Sequence, residues 1–140
     1  MKKILLIIVI LLYINCGSPM RIDRIVESRK DNIILRCEIK SLKRIYGKKE
    51  RFKIKGIIYI INETNHIKSI MMRDVSLKIN DELCALDDEW NQLLTMSSID
   101  ANQIISMNIN TVYEGIIRIN DLKIDIIWPK TFSEIPGLTL

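Results

Sequence analysis

Apolar side chains recur at every second position from Asn32 to Leu42 and again from Arg51 to Asn62, and that spacing constrains the fold most. Ile33, Leu35, Cys37 and Ile39 share one side of the first stretch, with Arg36, Glu38 and Lys40 on the other. A period of two puts neighbouring side chains on opposite faces of a strand; a helix would spread them around its circumference. In the second stretch Phe52, Ile54, Gly56, Ile58 and Ile60 alternate, and residues 57–61 become apolar on both faces. That pattern suits a strand with neighbours on both sides.

Further extended segments are expected at Met20–Ser28, Ile67–Asn80, Gln103–Asn110, Val112–Asn120 and Leu122–Trp128. Turn chemistry separates them: Tyr46-Gly47-Lys48-Lys49, the polar loop from Asn62 to His66, Asn80-Asp81-Glu82, and Asn120-Asp121. A break is expected near Glu114-Gly115, and Pro129, which lacks a ladder donor, should end the last strand. One short helix is expected where Asp87-Asp88-Glu89 precede Trp90, Leu93 and Leu94. Seven or eight short strands with many β-branched residues predict an all-β fold. Its expected form is an antiparallel Ig-like or fibronectin-type β-sandwich over residues 21–130, with a small barrel as the second choice. Residues 131–140 form a C-terminal tail.

The chain opens differently. Lys2 and Lys3 lead into an unbroken apolar run, Ile4 to Ile14, closed by Asn15-Cys16-Gly17. A positive start and an apolar core of this length describe a secretory leader. The run is shorter than the roughly 20 residues that a membrane-spanning helix needs. Residues 1–15 are therefore expected to be a removable, helical signal peptide. Cleavage there leaves Cys16–Leu140, 125 residues, enough chain for one self-sufficient core.

The run Tyr13-Ile14-Asn15-Cys16 resembles the lipobox of bacterial lipoprotein precursors, in the relaxed form found in spirochaetal-type lipoproteins. Bulky Tyr13 and Ile14 and the amide Asn15 depart from the stricter pattern of Leu, a small residue, and Gly or Ala. The resemblance covers residues 1–17. It implies lipidation of Cys16, a membrane partner reached through that anchor, and a tether over residues 16–20. Gly17, in place of an aspartate, favours the outer over the inner membrane. The alternative is a plain cleaved leader followed by an ordinary cysteine. Residues 56–77, an apolar strand, an Asn-rich turn and a second strand, also resemble sandwich domains of the LEA-14 type, which carries no site with it.

If Cys16 bears lipid, Cys37 and Cys84 remain as an even pair in an exported setting. Two outcomes stay open, a Cys37–Cys84 disulfide or two buried apolar thiols. The precursor's formal net charge is +4, and loss of Lys2 and Lys3 lowers it to +2. So mild a charge gives nucleic-acid binding no support.

Chemistry-bearing residues are sparse. The single histidine, His66, lies in the Asn-rich loop near Ser69, but no nucleophile motif accompanies it. One His and two Cys without metal-ligand spacing argue against a zinc site. Met71-Met72 with His66 make a poor soft-metal site, because adjacent strand residues face opposite ways. Asp87–Glu89 are better explained as a helix start than as a calcium loop. Asn62-Glu63-Thr64 fits the glycosylation pattern, which a bacterial leader makes moot.

The run from Lys40 to Lys55 holds eight cations and, after Lys40, only Glu50 as an acid. Lys48, Lys49, Arg51, Lys53 and Lys55 are the candidate strip for an anionic ligand, either lipid headgroups or a sulfated polysaccharide. The plainer reading is a solvated face whose lysines discourage edge-to-edge pairing. The residues thus predict a lipid-anchored envelope protein, not an enzyme, with a non-catalytic binding or structural role and no cofactor. The rival is an enzyme, an enzyme accessory or a metal-handling periplasmic domain.

Overall fold

The computed structural model of the chain describes residues 18–70, 75–84, 97–128 and 132–134. In chain order its strands are β1 (Met20–Lys30), β2 (Ile33–Ile45), β3 (Arg51–Asn62), β4 (Lys68–Ile70), β5 (Ser76–Ile79), β6 (Glu82–Cys84), β7 (Ser97–Ile99), β8 (Ile104–Glu114), β9 (Ile124–Ile127) and β10 (Phe132–Glu134). Every pairing is antiparallel. The long strands form one sheet in the order β1-β2-β3-β8; the short ones form two others, β10-β4-β7 and β6-β5-β9. The fold is all-β, as the alternating pattern predicts.

Two-residue turns close two of the hairpins. Asp31 and Asn32 take φ of 49° and 57° between paired Lys30 and Ile33. Asn80 and Asp81 take 50° and 68° between Ile79 and Glu82. Tight hairpin turns need positive φ at both central residues, and Asn and Asp tolerate it best.

One buried cluster draws on all three sheets. The large sheet contributes Leu35, Cys37, Ile39, Leu42, Ile54, Ile58, Ile60 and Ile109; Ile70, Ile99, Leu77 and Ile79 come from the small ones. In β2 the buried positions from Leu35 to Ile39 are odd-numbered, and burial then switches to Leu42. The register explains the switch: Ile39 pairs with Gly56 but Ser41 with Lys55, so Lys40 is an extra, bulged residue. A bulge reverses the parity of everything beyond it. Ser41 and Lys43 consequently face away from the core.

Two contacts fasten the later part of the chain to β1. Trp128 Nε1 donates to Ser28 Oγ at 2.8 Å, and Arg24 Nη2 donates to the Ile119 carbonyl at 3.2 Å.

The structure differs from the sequence expectations in several places. Within the stretch 67–80 expected to be extended, Lys68–Ile70 form β4 and Ser76–Ile79 form β5, which belong to different sheets, and 71–74 lie outside the described residues. β8 continues through Thr111 to Glu114, and 116–118 is not strand. Gly115 ends β8 with φ of 149°, in a position where a Cβ would lie 2.8 Å from the Tyr113 hydroxyl and 2.9 Å from its ring. Asn120-Asp121, expected to be a tight reversal, lie in a short 3-10 turn at Ile119–Asp121 ahead of β9. The helix expected at Asp87–Leu94 and the leader with Cys16 lie outside the described residues.

Candidate functional site

The antiparallel register fixes which end of the large sheet is which. Met20 opens β1 opposite Leu42, and the 46–50 turn and Glu114 lie at the same end. The opposite end carries the 31–32 turn and the loop after Asn62. The basic run is confined to the first end, where the chain enters the domain.

On the face turned away from the core, Lys43 lies directly opposite Lys53, and Ser41 opposite Lys55. These four residues and Pro19 line a hollow of about 280 Å³. The neighbouring acids are engaged with other cations. Glu50 pairs with Arg44, Glu114 lies 3.6 Å from Lys49, and Asp23 lies 3.6 Å from Arg21. Lys43, Lys53 and Lys55 have no acidic partner among the described residues. Like charges directly opposite on adjacent strands are destabilising, so Lys43 and Lys53 form a site of unmet positive charge.

The expected strip is therefore brought together in part. Lys53 and Lys55 line the hollow. Lys48 and Lys49 sit on the 46–50 turn at the same end, and Arg51 stands opposite Glu114 in the register. Lys43, another of the eight cations of the run, joins them because the bulge at Lys40 turns it onto that face.

Cys37 and Cys84 are free thiols, both buried, so the disulfide alternative is not realised. Burial, helped by the Glu38 charge, pushes the Cys37 thiol up to about 12. Burial and Glu82 also raise Cys84. Thiolates are the reactive species, so native Cys37 should resist alkylation at pH 8 and react promptly in denaturant. Alkylation followed by peptide mass analysis checks this; equal rates in both states would contradict the burial. The raised value has a stability consequence of fixed sign. Above pH about 9 the unfolded chain releases this proton while the native state keeps it, so stability falls between pH 9 and about 12.

His66 is exposed and lines an open, polar hollow of about 630 Å³ with Asp31, Asn32, Glu63, Thr64, Asn65 and Lys68. No cysteine lines it. Its ring has no hydrogen-bond partner among the described residues, and Ser69 is buried on β4. The loop is organised by Asn62, which is fully buried. The Asn62 amide nitrogen donates to the carbonyls of His66 at 2.8 Å, Ile99 at 3.1 Å and Asp100 at 3.0 Å. Its Oδ1 accepts from the Thr64 amide at 3.0 Å and the Thr64 hydroxyl at 2.6 Å. Asn62 is therefore a structural hub and no glycan acceptor. The readable signal was an Asn closing an apolar strand two residues before a Thr, the spacing of an Asx turn.

Among the described residues no three His, Cys, Asp or Glu side chains gather closely enough to hold a metal ion. Nor is any helix there long and apolar enough to cross a membrane. Met71, Met72 and Asp87–Glu89 lie outside the described residues. Compared with known protein families, curated proteins and solved structures, the chain matches none.

Proposed function

We propose that the chain is a lipoprotein precursor. Its leader, residues 1–15, is removed, Cys16 is acylated, and a β-sandwich of the Ig-like or fibronectin type is held at a bacterial envelope membrane. Its role there is non-catalytic, a binding or structural module, and Gly17 favours the outer membrane. The observation that carries the reading is the junction at Cys16. The apolar run stops there, and β1 begins at Met20 after an exposed Ser18-Pro19 link. So short a link leaves the domain next to whatever Cys16 is attached to. The sandwich reading rests on the shared core, to which the large sheet gives one face and both small sheets give residues.

Intact-mass analysis of protein extracted from membranes tests the reading. The expected mass lacks residues 1–15 and carries acyl chains on Cys16. A retained Met1, or an unmodified Cys16 on protein released by a salt wash, would overturn it.

A further inference from the structure

We propose that the hollow formed by Pro19, Ser41, Lys43, Lys53 and Lys55 is a seat for the phosphate of an anionic lipid headgroup in the bilayer beside the tether. This rests on the anchored reading above and adds a ligand class and a site to it.

Three observations support it. The first is charge. Lys43 and Lys53 oppose each other across β2 and β3 with Lys55 beside them, and the acids around them are taken up by Arg44, Lys49 and Arg21. A phosphate in the hollow would relieve that repulsion.

The second is position. Pro19 is a lining residue, and it follows Cys16 by three residues. Three extended residues span at most roughly 11 Å, within about one and a half screening lengths at physiological salt. The lysines thus lie where a charged bilayer surface is strongly felt.

The third is the company they keep. Met20 and Tyr46, 47% and 59% exposed, stand at the same end of the sheet. Arg44 lies over the Tyr46 ring at 5.6 Å. An aromatic with a polar tip beside a cation suits the headgroup layer.

The test uses the mature protein purified from membranes and reconstituted into phosphatidylcholine vesicles with or without about one-third phosphatidylglycerol. Lysine acetylation is followed peptide by peptide, with Lys30, at the far end of β1, as the internal reference. The expected result is that phosphatidylglycerol slows acetylation of Lys43, Lys53 and Lys55 roughly fivefold relative to Lys30, and that high salt reverses this. Lys53→Gln should remove the protection of Lys43 and Lys55. It should also raise the melting temperature of detergent-solubilised protein by a degree or two, since the opposed pair is gone.

Equal acetylation on both vesicle types from protein shown by mass to be acylated would overturn the headgroup seat and leave the anchor standing. Protection by phosphatidylglycerol of protein that proves unacylated would sink the anchor and keep the seat. Equal protection on neutral vesicles by millimolar inorganic phosphate or by heparin would overturn the lipid source in favour of a soluble anion.

Discussion

Asn62→Asp should destabilise the domain by about 4–5 kcal/mol at pH 7, the largest effect expected of any single substitution described here. The exchange preserves shape and the acceptor that Thr64 uses. It removes the amide hydrogens that reach the carbonyls of His66, Ile99 and Asp100. A carboxylate oxygen would then face those carbonyls at a site with no solvent access. Asn62→Ala leaves the same carbonyls without a donor but adds no charge, so it should cost less, about 3 kcal/mol. The comparison has a pH signature. Burial would raise the introduced carboxyl above its unfolded value, and its protonated form can donate once. The Asp variant should therefore regain stability as pH falls and lose it as pH rises through the raised value. Denaturant titrations at pH 4.5 and 8 measure this. An Asp variant as stable as the parent at pH 8 would mean that water, not Asn62, serves those carbonyls.

Gly56→Ala should cost about 3 kcal/mol, or roughly 10 °C in melting temperature. Gly56 lies on the core face of β3 against the bulged part of β2. A Cβ there would run into the Glu38 carbonyl oxygen and stand 3.1 Å from the Ile39 Cα. The obstacles are backbone atoms of a strand paired on both sides, so no rotamer change relieves them. A melting temperature within about 2 °C of the parent would show that β2 can shift to make room. Alanine is the better strand former of the two, so propensity alone predicts the opposite sign.

The sequence pattern reached some elements and not others for physical reasons. β2 and β3 were legible because each keeps one face buried for nine or more residues. The three-residue strands β4, β6, β7 and β10 are too short to display a period of two, so their division into two extra sheets was hidden. The bulge at Lys40 left one trace, the displaced Leu42, and it is what carries Lys43 into the basic hollow. Lys53 and Lys55 were identifiable because strand alternation alone sets their face. Lys49 and Arg51 were not separable from them, since their pairing with Glu114 depends on a strand some sixty residues further along.

The direction of β1 has a mechanical consequence. It starts at the end of the sheet where the chain enters and runs the full length away from it, pairing with β2 from Met20 to Lys30. A tug on the entering segment draws β1 lengthwise, and its rungs to β2 resist in parallel. Had the strand run the other way, the same tug would have peeled them one at a time.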